Sequence, residues 1–323
     1  MDRVRSIADA VLYEGYLLWP YRQSALKNQR RWTIGGVYPR PYAEREDDRW
    51  TVHAEFVLET APGAGIEVTL RFLQEVHRQV MDGDTPVERV RFGDETFTTW
   101  QEARERELTT GRVPVGRLLD GAVRLPVAIP AGAEDERIEG DVRFKRSWGR
   151  VDGWADVSAV PAGDGAVRVR VELVNAADAG ERAEAVRSGM LCAHVVAHTT
   201  GGSFVSPTDP PEELAGAVAE CGKDGLWPVL AGRPGTYDTV LAAPIVLYDW
   251  PQVAAESPGD LFDGTEIDRL LILSVLSLTE EEQREMAATD PKAREILERC
   301  GVLSAGELLA LHGTLRDPRR DVW

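Results

Sequence analysis

The sequence predicts a β-rich α+β protein: two mainly antiparallel β regions, each a sandwich or partly open barrel, followed by a helical C-terminal segment. Three observations predict it. Runs of alternating apolar and polar residues recur from Trp50 to Val205, separated by the turn signals APGAG, GRVDG, PAGDG and TTGG. Thirty Gly and 19 Pro are spread without a period, which favours many turns and short strands over long helices. From Glu266 to Gly313 the alternation gives way to helical spacing with capping residues.

Residues 4 to 14, VRSIADAVLYE, place Val4, Ile7, Ala8, Val11 and Leu12 on one helical face before Gly15 ends the helix. Trp50 to Thr60 and Ile66 to Met81 alternate on either side of APGAG and read as a long β-hairpin. Val87 to Phe92 and Ala122 to Val127 extend that sheet, whereas the charged QEARERELTTG between them reads as a short helix or a solvated connection. The polar, turn-rich PAGAEDERIEG marks a boundary, giving domains at 1–129, 130–250 and 251–323.

In the second domain, strands are expected at Ile138 to Trp148, Val151 to Val160, Ala166 to Asn175, Met190 to His198 and Ser203 to Val205. EELAGAVAECG follows as a helix, with Asp209, Pro210 and Pro211 before it and Gly222 after it. In the last segment, expected to pack on the second domain, EIDRLLILSVLSL has the character of a buried helix. Thr279 and Glu282 form a capping box, Asp290-Pro291 opens a further helix that closes on Gly301, and Ser304 with Glu307 offers a final cap.

The formal net charge of -17 argues against general affinity for nucleic acid, which depends on phosphate neutralisation by Lys and Arg. Cys192, Cys221 and Cys300 are widely spaced, with no C-x-x-C pair, as expected of a reducing, cytoplasmic setting. The N-terminus lacks the apolar stretch of a signal peptide and no run of 18 apolar residues occurs, so no membrane insertion is expected. No phosphate loop or dinucleotide fingerprint is present, and no cofactor is expected.

Two clusters carry the candidate chemistry. In MLCAHVVAHTT, a strand would put Cys192, His194 and His198 on one face, and Asp209 or Cys221 would complete a donor set for a transition metal. Three ligands on that strand span about 20 Å, so only pairs reach one ion. His194 with Ser203, Ser206 and Asp209 can be drawn as a triad, but no nucleophile elbow accompanies them. Asp260, Asp263, Glu266 and Asp268 lack calcium-loop spacing and read as capping or solvated groups.

The second cluster is a basic aromatic island: from Gly15 to Ala43, 29 residues hold no Asp or Glu, while carrying Arg22, Lys27, Arg30, Arg31 and Arg40 among six aromatic side chains. Either its aromatics are core and its cations a solvated rim, or it docks an acidic partner, or it closes over a small anion. The expected protein-contact surface is Tyr13, Glu14, Tyr21, Arg22, Lys27, Asn28, Arg31 and Trp32.

Most of the chain, from about residue 11 to 300, resembles an uncharacterised family encoded beside actinobacterial-type nickel-iron hydrogenases. The stretches that carry the resemblance are YEGYLLWPYRQSALKNQRRWTIGGVYP, SFVSPTDPPEE, GLWPVLAG and DTVLAAPIVLYDWPQVAAESPGDLFDGTEIDRLLILSVLSLTEEEQREMAATDPKAREILERC. The resemblance implies a noncatalytic accessory or assembly role that binds a hydrogenase subunit or assembly intermediate. It supplies no catalytic residues. A metal-dependent enzyme with a site near His194, between the β regions, is the alternative expectation.

Overall fold

The computed structural model describes residues 2–252 and 268–302, apart from 19, 23, 24, 26, 27, 29, 30, 33 and 94, and for 2, 139 and 268–270 the backbone alone. Lys27, the acidic run 257–267 and the cap expected at Ser304 lie outside the described residues. The helices are α1 (Asp2–Tyr13), α2 (Arg40–Glu46), α3 (Val115–Leu119), α4 (Arg182–Arg187), α5 (Ala215–Ala219), α6 (Asp268–Leu276), α7 (Glu280–Thr289) and α8 (Pro291–Gly301). The strands of the first half are β1 (Thr51–Asp82), β2 (Thr85–Val87), β3 (Arg89–Phe92), β4 (Glu95–Thr98), β5 (Trp100–Pro114) and β6 (Val123–Ile129). Those of the second are β7 (Gly132–Glu139), β8 (Val142–Trp148), β9 (Val151–Pro161), β10 (Ala166–Asn175), β11 (Leu191–Phe204), β12 (Lys223–Asp224), β13 (Trp227–Leu230) and β14 (Thr239–Ala243).

One strand organises the rest. β1 runs unbroken through APGAG, where a register shift against β11 between Thr60 and Gly65 replaces the expected hairpin turn. Pro62 and Gly63 fit such a bulge, because it asks for no ladder hydrogen bond and tolerates the positive φ of Gly63. On one side β1 pairs first with β10 and then with β5; on the other it pairs with β11 and then with β8. The result is a twelve-stranded antiparallel sheet that is not a closed barrel, with β3 and β4 forming a separate two-stranded sheet.

Two expectations change as a consequence. The boundary at residue 130 does not divide the strands, since β1 from the first half pairs with β8, β10 and β11 from the second. QEARERELTTG is not a helix or loop but the body of β5, and its charges are satisfied across strands: Arg104 pairs with Glu134, and Glu102 with Arg78 and Arg146. Charge alone therefore misled the reading there.

Alternation along β1 and β11 divides the apolar residues between two faces. Leu70 and Phe72 of β1, with Ala193, Val195 and Ala197 of β11, join β6, β9, β10 and β14 in the main core. Leu73 and Leu191 face the other way, into a layer of Tyr13, Tyr16, Trp32, Tyr38 and residues of α6, α7 and α8. The C-terminal helices thus rest chiefly on the N-terminal segment, β4 and the start of β5, not on the second β region as expected. The capping box at Thr279 and Glu282 and the Asp290 cap of α8 are both formed. Among the described residues no helix is long and apolar enough to cross a membrane.

Glycine is required where strands crowd. A Cβ on Gly153, between β6 and β10, would sit 2.2 Å from the Val174 carbonyl oxygen. Gly153→Ala is expected to cost about 3 kcal/mol through backbone displacement. Gly216→Ala, in the exposed α5 where an added Cβ meets nothing, is expected to stabilise by about 0.5 kcal/mol. Urea midpoints of the two variants check both signs.

Candidate functional site

The island folds inward. Tyr21, Asn28, Arg31 and Trp32 are buried, Tyr13 is nearly so, and Glu14 is half-buried, so the contact surface expected from these residues is interior in the folded chain. Of the other described cations of the island, Arg40 is exposed on α2 and Arg22 lies at the rim, 3.0 Å from Glu282 of α7. The physical reason is visible around Arg31. Its guanidinium carbon lies 4.0, 4.6 and 5.1 Å from the ring centroids of Trp100, Trp32 and Tyr16, and its nitrogens donate to the carbonyls of Tyr16 and Gln101. A guanidinium is weakly hydrated and stacks on aromatic faces, so it can be buried where an ammonium could not. Burial pulls its pKa below the ordinary arginine value, and Tyr16 and Asp290 oppose that.

Asp290 completes this hub. One carboxylate oxygen accepts from the Lys292 amide, capping α8, and the other accepts from the Tyr16 hydroxyl at 2.6 Å and the Trp100 indole at 3.2 Å. Arg78 of β1 adds a bond to the Thr289 carbonyl at 3.0 Å. The island is a strap that fastens three helices to the sheet.

The metal candidates lie in separate surroundings. His194 is buried on the face of β11 that α1 covers; its Nδ1–H donates to the Cys192 carbonyl, and its Nε2 has no partner. Burial lowers its pKa to about 4, and Arg71 adds to the effect. His198 bonds the Thr239 hydroxyl, while Cys221 packs with Val57, Val205 and Leu214. Burial pushes the Cys221 thiol up to about 11 and Cys192 up to about 12. Among the described residues no three His, Cys, Asp or Glu side chains group to hold a metal ion. The drawn triad does not assemble either, because the Ser206 hydroxyl donates to Asp249 at 2.5 Å.

That Ser206–Asp249 contact locates a surface the sequence reading missed. Asp249 also accepts from the Thr208 hydroxyl and the Leu230 amide, which fixes the segment after β14. Ile245 and Leu247 turn inward onto α1, β13 and β14, and Val246 and Tyr248 turn outward, 75% and 64% exposed. Tyr237, 45% exposed, meets Trp250 edge to face at 5.6 Å. Beside them opens a groove lined by Glu59, Ser203, Ser206, Asp209, Pro211 and Tyr237. The available signal was IVLYDW, apolar at both alternating positions, which a one-sided strand does not need.

No family model matches the chain, and no curated protein matches it.

Two outcomes test the interior. Asp290→Ala leaves three buried donors without their acceptor and is expected to cost about 4 kcal/mol, read by urea unfolding. His194 holds a proton less tightly folded than unfolded, so its contribution is present above pH 6.5 and lost as pH falls through about 4. The stability difference between wild type and His194→Gln should therefore shrink by about 3 kcal/mol between pH 7 and 4.

Proposed function

We propose that this chain is a noncatalytic binding protein whose partner surface is the stripe of Val246, Tyr248 and Tyr237 with its adjoining groove. The exposed stripe is the observation that carries the reading. Large apolar side chains held outward on a segment pinned from beneath by Asp249 offer preformed, rigid contact area, and aromatic anchors of this kind dominate binding energy at interfaces. Glu59 and Asp209 give the groove acidic flanks, in keeping with the net charge of -17, so the complementary partner presents an apolar patch with basic residues at its edge.

On the strength of the sequence resemblance, the partner is a nickel-iron hydrogenase subunit or assembly intermediate, and the role is that of an accessory or assembly protein. Three of the stretches that carry the resemblance, SFVSPTDPPEE, GLWPVLAG and DTVLAAPIVLYDWP, meet around Asp249 through Ser206, Thr208 and Leu230, which supports placing the shared role at this surface. On this reading the role belongs to a reducing cytoplasm, and the free Cys192, Cys221 and Cys300 support it.

The test is binding of purified hydrogenase subunits to the wild-type chain, to Val246→Asp/Tyr248→Asp and to Arg22→Glu. The stripe variant is expected to lose at least about tenfold in affinity, with stability changed by under about 0.5 kcal/mol, and higher salt should weaken the wild-type complex. Loss of binding in Arg22→Glu with the stripe variant unaffected would return the surface to the rim of the strap. Absence of binding by the wild-type chain would remove the hydrogenase partner.

A further inference from the structure

β1 changes partners at one point. Leu73 is the last residue paired with β11 and His77 the first paired with β8, so at Gln74, Glu75 and Val76 the strand has a neighbour on the β5 side only. Gln74 fills part of this fork, donating to the Gly149 carbonyl and accepting from Arg106. Glu75 does not follow suit. It is fully buried, and among the described residues neither carboxylate oxygen has a hydrogen-bond partner.

Its surroundings are cationic yet incomplete. Among the described residues, Arg187 of α4 approaches to 3.7 Å and Arg31, whose Nε is itself buried without a partner there, also acts on Glu75. His77, two residues along β1, is partly exposed, and β5 places the uncharged Ala103 and Gln101 opposite Glu75 and His77. Glu75 shares its face with Leu73, which belongs to the layer formed by the strap and the C-terminal helices. Burial without hydrogen bonds disfavours the ionised carboxylate, and two nearby guanidinium groups offset only part of that.

We infer that Glu75 is a proton-controlled latch: protonated, it is accommodated beneath the strap, and on losing its proton to solvent it favours a loosened state in which the strap and helices lift and water reaches the carboxylate. Burial raises the Glu75 pKa to about 7, against Arg187 and Arg31, from the 4.5 it would have once hydrated. The folded carboxyl therefore holds its proton more tightly than the opened one. Closure is fully favoured below pH 4.5 and loses ground as pH rises through about 7, by up to about 300-fold for a difference of that size. This device is independent of the exposed stripe.

The experiment is hydrogen exchange on the full chain between pH 5 and 8.5, corrected for intrinsic rates, read at amides of 31–46 and 291–301. In wild type, protection there should fall at least tenfold between pH 5 and 7 and level off above that, with amides of β10 and β11 unchanged. Glu75→Gln should keep high protection throughout. Arg187→Gln, a change at a largely accessible side chain, removes a cation that favours ionised Glu75 and should move the transition to higher pH. His77→Gln should leave it in place. The same pH-dependent loss in Glu75→Gln would overturn the proposal. Should that variant fail to fold, an unmoved transition in Arg187→Gln, or its disappearance in His77→Gln, would do so equally.

Discussion

The arrangement of the helical layer depends on one carboxylate. Apolar contact among Tyr16, Trp32, Leu73, Ile296 and their neighbours supplies attraction, but such contact is non-directional and would tolerate several orientations of α8. Asp290 removes that freedom, because its two oxygens must meet the helix's own amide, a hydroxyl from the N-terminal segment and an indole from β5 at the same time. A buried charge with any of these donors absent would be costly, so the three elements are selected together. Arg31, stacked among three rings, supplies the opposite charge without needing a direct bond to the acid.

This accounts for the acid-free run from Gly15 to Ala43 in so acidic a chain. A carboxylate within the strap would draw Arg31 out of its aromatic surroundings into a local pair, and Asp290 would lose its counter-charge. The chain instead keeps its acids on the elements that receive the strap: Glu282 meets Arg22 from α7, and Asp290 closes the interior. Segregating the charges by sequence lets folding bring them together in only one way.

Local chemistry was legible where it is governed by neighbours in sequence. The capping box at Thr279, the Asp290-Pro291 start of α8, the first helix and the alternation of β9 and β10 all follow from residues within a few positions of one another. What failed was whatever depends on a distant partner. APGAG has the composition of a hairpin turn, and only β11 alongside it makes it a bulge. The charges of β5 look solvated until the residues opposite them on β1 and β7 are known. The division at residue 130 was drawn from polarity, yet β1 pairs across it.

The two surfaces show the same difficulty from opposite directions. Arginine among aromatics is the composition of an interface hot spot and equally of an interior cation held by rings, since both exploit weak hydration and planar stacking. What separates them is whether the chain itself supplies the acceptors, and here the carbonyls of Tyr16 and Gln101 do. Conversely, IVLYDW is apolar at both alternating positions, so its sequence does not say which side chains face outward. Asp249, directly after Tyr248, sets the sense: with Ile245 and Leu247 it takes the inner side, where it accepts hydrogen bonds, and Val246 and Tyr248 are left to the outside. An acid that takes interior hydrogen bonds within an apolar run is therefore the more telling sign of an exposed apolar face, because the side chains of 245–249 alternate in and out and the acid has claimed the inner side.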